Sequence, residues 1–271
     1  MTVLRATPPP PLPVRDSAAA RDRAGGGVSP MLTRLAAEEA TGVLVRECGT
    51  VHLVDGMVVH AESPLAPGVD VLLTARGTLD PAVWQEAEGR AGDPPGALRL
   101  LADAGRLALS ALELCHLGAL YDAAYFALAP SSVPGRFRYG TAPPFAALRA
   151  VPVAAVERET LRRRGLLHGV WPDTAPDEAP LTRVDRPLPP PLTLRQRAVL
   201  KRVDGVRTAP DIARELGRRA YPTLLDVRRL VAAGVVAPRP RAPDPVPIPP
   251  TEVNDPDITL LKRLRDALEA L

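Results

Sequence analysis

Proline placement sets the first limit on what this chain can fold into. The 271 residues include 33 prolines, and these crowd into residues 8–13, 172–191 and 238–256. Proline donates no backbone hydrogen bond and fixes its own φ, so a proline-dense run suits neither a helix interior nor a central strand. The three stretches are therefore expected as extended linkers or tails. Between them lie residues 29–170, long enough to bury a core, and the much shorter residues 193–237. Residues 1–28 also carry Gly25-Gly26-Gly27 and are expected as a disordered tail. The expected order is completed by linkers at 171–192 and 238–254 and a terminal helix at 255–271.

Residues 193–237 read as three short helices and a β stub. Thr193 can cap a helix whose apolar positions are Leu194, Ala198, Leu200 and Val203, and Asp204-Gly205 turns the chain. Thr208 opens a second helix, with Asp211 in the capping-box place and Gly217 at the end. A third starts near Tyr221-Pro222 and runs to Gly234, before the strand-like Val235-Val236. This order is that of a winged helix-turn-helix.

Charge is concentrated in the same stretch. Ten basic residues face four acidic ones, a net of +6, against +3 for the whole chain. A phosphate backbone would favour such a module. The candidate DNA-binding residues are Arg195, Arg197, Arg218, Arg219, Arg228 and Arg229. Two features pull the other way. Only Lys201 and Lys262 are lysines among 34 basic residues, and a GC-rich genome alone produces an arginine excess. The outward positions of the third helix are expected at Pro222, Leu225, Asp226 and Arg229, a poor set for reading base edges. Protein docking is the competing use of such a module.

The longer segment combines both periodicities. Ser29-Pro30 starts a helix with Leu32, Leu35, Ala36 and Ala40 on one face. Residues 43–61 then alternate as three strands, with tight turns expected at Gly49-Thr50 and Asp55-Gly56, an antiparallel meander. Helices follow, one capped by Asp80 with Pro81 in its first turn, then a turn expected at Asp93–Gly96. Residues 107–128 are apolar on more than one face and are expected as the central helix. Residues 136–139 alternate as a fourth strand. Residues 153–167 form another helix, with Arg162, Arg163 and Arg164 expected near its C-terminal end, where the dipole favours cations.

The order of these elements resembles the PATAN domain, named for the N-terminal region of a cyanobacterial pattern-formation regulator. The residues that carry the likeness are Gly42-Val43-Leu44, then Val51-His52-Leu53-Val54-Asp55-Gly56, Val58-Val59-His60-Ala61, Gly68 before a helix, and Gly135-Arg136-Phe137-Arg138-Tyr139. Such proteins often add a winged helix with a run similar to Val203-Asp204-Gly205-Val206-Arg207-Thr208 followed by Asp211-Ile212-Ala213. The resemblance spans roughly residues 29–237. It implies a signalling and protein-interaction domain without catalysis, associated with response regulators or small GTPase systems.

Sites for chemistry are sparse. No G-x-S-x-G, Walker A or dinucleotide fingerprint occurs. His52 and His60 lie on neighbouring strands, and Cys115-His116 point in two directions from one helix. Cys48 and Cys115 suit small buried apolar residues. No metal, cofactor or catalytic residue is expected. The tail helix repeats Ile258, Leu261, Leu264 and Leu268 at three- and four-residue steps, a candidate partner-binding stripe.

The expectation is an α+β chain: a small antiparallel meander packed with helices, a small winged helix-turn-helix module and a C-terminal amphipathic helix. Two functions follow. One is a cytoplasmic transcriptional regulator whose first domain receives a protein signal and whose basic module contacts double-stranded DNA. The other is a signalling adaptor in which both modules bind proteins. Further partners are a protein at the N-terminal domain or tail helix and a second copy of the chain; no apolar run is long enough to span a membrane.

Overall fold

The computed structural model describes residues 28–75, 77–92, 94–140, 149–185, 191–239 and 256–269, without the side chains at 95, 256–260, 262 and 264. The expected N-terminal tail lies almost wholly outside the described residues. The fold is α+β, as the two periodicities require. Helix α1 (Pro30–Ala37) begins where the Ser29 hydroxyl accepts from the Leu32 N–H. The meander is β1 (Gly42–Arg46), β2 (Gly49–Val54) and β3 (Met57–Glu62). Asp55 and Gly56 both take positive φ, 48° and 73°, as a two-residue hairpin turn requires. A side chain at Gly56 would also strike the Ala36 carbonyl at 2.5 Å. The first turn differs from expectation: Glu47 and Cys48 form it, because Arg46 pairs with Gly49, which already belongs to β2.

Two later strands complete the antiparallel sheet in the order β4-β1-β2-β3-β5, with β4 at Arg136–Tyr139 and β5 at Val151–Pro152. Between β3 and β4 in sequence come α2 (Val69–Thr74), α3 (Pro81–Ala91), α4 (Pro94–Asp103) and α5 (Leu109–Ala127). Asp80 caps α3 through the Ala82 N–H at 2.8 Å. Of the turn expected at Asp93–Gly96, Asp93 lies outside the described residues and Pro94 to Gly96 instead start α4: prolines are tolerated in a first helical turn, where the missing N–H has no partner to lose.

Helix α5 explains its own all-round apolarity. Leu120, Ala123, Ala124 and Ala127 pack on the sheet beside Val51, Leu53 and Val58. Leu112 and Ala119 close a second core around Trp84 and Leu98. Phe126 reaches a third core, built with the C-terminal helices. Helix α6 (Val153–Val170) follows β5. Its arginine trio lies in mid-helix, against expectation, and Arg163 is buried at 5% exposure. Its reach is set by a buried carboxylate on α5.

The helix-turn-helix consists of α8 (Leu194–Leu200), α9 (Ala209–Glu215) and α10 (Ala220–Ala232). Thr193 with Gln196 and Thr208 with Asp211 each form a complete capping box. The stretch expected as a linker at 171–192 carries structure: α7 (Ala175–Glu178) and β6 (Leu181–Arg183). Pro176 is buried in the first turn of α7, and Leu181 is fully buried. Strand β6 pairs antiparallel with β7 (Val236–Pro238), so the stub after α10 finds its partner before α8. Residues 28–239 thereby form one contact unit, with the helix-turn-helix held against the sheet domain. Independent motion of two modules at residues 171–192 is not the arrangement observed; residues 186–190 lie outside the description.

The second unit holds α11 (Pro256–Glu269). Leu261 and Leu268 are exposed on it at 64% and 71%. The side chains of Ile258 and Leu264, the other half of the candidate stripe, are outside the description. No helix among the described residues is long and apolar enough to cross a membrane.

Candidate functional site

The third helix of the module is where sequence and structure part most sharply. Nine of its thirteen residues are buried, including Asp226 and Arg228. Helices α6, α7, α8 and α9 all pack against it. Arg228 was a candidate phosphate contact; its side chain is 3% exposed and pairs with Asp177 through two bonds of 2.9 and 2.5 Å. Its remaining amino group donates to the Trp171 carbonyl at 2.6 Å. A charge removed from water needs such paired, fully bonded company. Asp226, expected to face outward, is 4% exposed and accepts from Arg195 at 3.2 Å.

A second buried pair fixes the start of α10. Asp122 of α5 receives Arg163 of α6 at 2.8 Å, and its other oxygen accepts the Tyr221 N–H at 3.1 Å. A carboxylate suits that position, because the first N–H groups of a helix lack internal partners. Burial pushes the Asp122 carboxyl upward in pKa, against the pull of Arg163 and the Tyr221 N–H. The Arg163 guanidinium also lies 4.5 Å from the Tyr221 ring centroid. Glu159 receives Arg162 and Arg163, and those bonds, Arg162 first, hold its carboxyl down at about 2.

Locking α10 in this way opens a groove of about 750 Å³ between α5 and the α9–α10 turn. One wall is α5: Ala111, Leu114, Cys115 and Gly118, at helical steps of three and four. Leu114 is 74% exposed there. The opposite wall carries Arg195, Arg218 and Arg219. Gly118 is what lets the walls meet, since any Cβ there would fall 2.9 Å from the Arg219 side chain, which lies across it. Arg218 donates to the Arg195 carbonyl at 3.4 Å. Burial pushes the Cys115 thiol up, opposed by the Arg219 charge.

Three of the six candidate arginines thus converge on the groove. Arg197 is exposed on α8, and Arg229 is exposed with its guanidinium 4.0 Å from Asp226, so neither lines it. The apolar half of the site was not legible, because α5 is apolar all round and nothing in its sequence marks Leu114 as uncovered.

The histidines assemble elsewhere. His60 Nδ1 meets His116 Nε2 at 3.1 Å, with the rings stacked, and His60 Nε2 meets Glu62 at 3.2 Å. His52 pairs with His60 across the strands, 5.5 Å between ring centroids. In the His60–His116 contact one ring nitrogen carries the proton and the other accepts it. Burial, and then the neighbouring His60, lower His116 to about 4. A cavity of about 220 Å³ opens beside His60, Trp84 and Leu98. Among the described residues no three His, Cys, Asp or Glu side chains are placed to hold a metal ion.

No family model, curated protein or solved structure matches the chain.

Proposed function

We propose that the chain is a non-enzymatic cytoplasmic adaptor that docks a protein in the groove between α5 and the α9–α10 turn. The observation that carries this reading is the burial of α10. A helix that reads DNA must present one long face to the major groove. Here nine of the thirteen α10 residues are buried, the stripe left open is Pro222, Leu225, Arg229 and Ala232 with a single arginine in it, and Arg228 is spent on Asp177. The arginines left over border an apolar cleft, the usual make-up of a recognition site. The resemblance to a PATAN domain with a winged helix implies the same class of function.

Duplex DNA is the second reading, favoured by the exposed Arg197, Lys201 and Arg202 of and beside α8. Anisotropy titration of the full chain with labelled duplex, at two salt concentrations, separates the two. The adaptor reading expects only weak binding at low salt, with no preferred sequence. Tight binding whose affinity falls by several powers of ten with added salt, and weakens on Arg197→Ala, would return the DNA reading.

A further inference from the structure

We propose that the occupant of the groove is an acidic amphipathic helix of a partner protein, seated with its apolar ridge on α5 and its carboxylates on Arg195, Arg218 and Arg219. This rests on the adaptor reading and names the partner's chemistry.

Shape comes first. The α5 wall offers Ala111, Leu114, Cys115 and Gly118, positions i, i+3, i+4 and i+7 of one helix. That spacing spans two turns, about 10 Å, and matches the repeat with which a docked helix presents its own anchors. Ala111 is small and exposed, so a partner backbone can approach closely there, and Leu114 one turn on supplies an exposed apolar contact. Only helices and the α9–α10 turn line the groove. Among the described residues no strand lines it, so an incoming strand would find no ladder to join.

Charge selects the sign. Among the described residues, three guanidinium groups and no acidic side chain line the groove. Asp226 lies behind Arg195 and is itself buried, so it screens one arginine and faces no ligand. Arg218 and Arg219 have no ion pair among the described residues. Arg195 and Arg219 are exposed and Arg218 half-buried, so all three guanidinium groups can reach the carboxylates of a docked partner. A DNA duplex fits less well: Leu114 and Leu117 on the other wall would lie against phosphates.

The test uses the full chain carrying Cys48→Ser, which leaves Cys115 as the reporter thiol in the groove. The probe is a fluorescein-labelled helical peptide of about 20 residues with a leucine ridge flanked by glutamates. Its comparators are a sequence-scrambled isomer, a lysine-for-glutamate version and a duplex DNA. The expected result is saturable binding of the acidic helix that slows alkylation of Cys115. Affinity should fall about tenfold or more on Leu114→Glu and on the double change Arg218→Ala with Arg219→Ala. These sites are on the surface side of their elements, and an unchanged thermal midpoint confirms that each variant is folded. Equal binding of the scrambled isomer, or no effect of Leu114→Glu, overturns the helix assignment. Equal binding of the lysine version with Cys115 still protected overturns the acidic class and leaves the adaptor reading standing. Binding of the duplex alone, with protection of Cys115, overturns both.

Discussion

Arginine has two unlike fates in this protein, and the contrast separates structure from surface. Arg163 and Arg228 are 5% and 3% exposed, each locked on a carboxylate from another element. Arg202 and Arg207 sit in the open, sharing Glu215 at 2.9 Å each, with Arg207 also on Asp204. Both sets count equally toward the charge of the helix-turn-helix and its neighbours. Only the second is available to a ligand. Net charge therefore overstates what a nucleic acid or protein would meet, and the buried set instead explains why the helix-turn-helix is fixed to the sheet domain.

The largest expected effects come from breaking the buried set. Arg228→Met leaves Asp177 and the Trp171 carbonyl without their donor in a largely buried site, and Arg163→Met leaves the buried Asp122 with the Tyr221 N–H alone. Each should cost about 3–5 kcal/mol of unfolding free energy. Urea unfolding at neutral pH reads it out. Pairing Arg228→Met with Asp177→Leu should recover a large part, because the penalty lies in the orphaned carboxylate. A loss below about 1 kcal/mol for both single changes would erase the distinction between the two arginine sets.

Next in size is an effect of pH on the histidine pair. His116 is 2% exposed and its folded pKa is lowered to about 4 by burial and by His60. Below the ordinary value of about 6.5 the unfolded chain binds a proton that the folded chain refuses. Stability from this group is therefore full above about pH 6.5 and is lost as pH falls toward about 4, by up to about 3 kcal/mol. Denaturation midpoints across that range should fall more gently for His116→Leu than for the native chain. Parallel curves would mean the pair carries no such load.

The fold's local signals were readable because short-range physics fixes them. The Asp55-Gly56 turn needs positive φ at both positions, and the Thr193 and Thr208 caps act within three residues. The junction was not readable. Asp122 and Tyr221 meet across 99 positions, and Asp177 sits in a run that proline density marked as linker. Proline misleads there because its ring suits a first helical turn, the place that Pro176 and Pro210 occupy. At the groove, Arg195, Arg218 and Arg219 were visible as charge, whereas Leu114 and Gly118 acquire meaning only once α10 is seen to be pinned.

A smaller effect concerns trypsin cleavage after Arg183. Arg183 stands in β6, and its guanidinium donates to the Val203 and Lys201 carbonyls at 3.0 and 3.1 Å. Trypsin needs the chain locally unfolded, so Arg183 should be spared in the native protein under conditions that cut exposed, unstructured arginines. Rapid native cleavage after Arg183 would mean that the β6–β7 pairing opens easily, and that the helix-turn-helix is less firmly held than its buried pairs imply.

The smallest expected effect falls on the exposed arginines, and it completes the contrast. Arg202 and Arg207 keep 45% and 40% of their side chains in water, and Glu215 keeps 32%. Solvent screens such pairs, and holding long side chains in place costs entropy. Arg202→Ala should therefore change the unfolding free energy by less than about 1 kcal/mol, and Arg197→Ala by about 0.5 kcal/mol or less. Salt sharpens the comparison. At about 1 M the Debye length shrinks to about 3 Å, so whatever Arg202 contributes should vanish. The cost of Arg228→Met should largely survive, since the Arg228–Asp177 pair is mostly shielded from solvent and its ions. Unfolding curves for both variants at low and high salt place the two sets side by side. A salt-insensitive loss at Arg202 would assign it to the structural set and shrink the surface charge left for a partner.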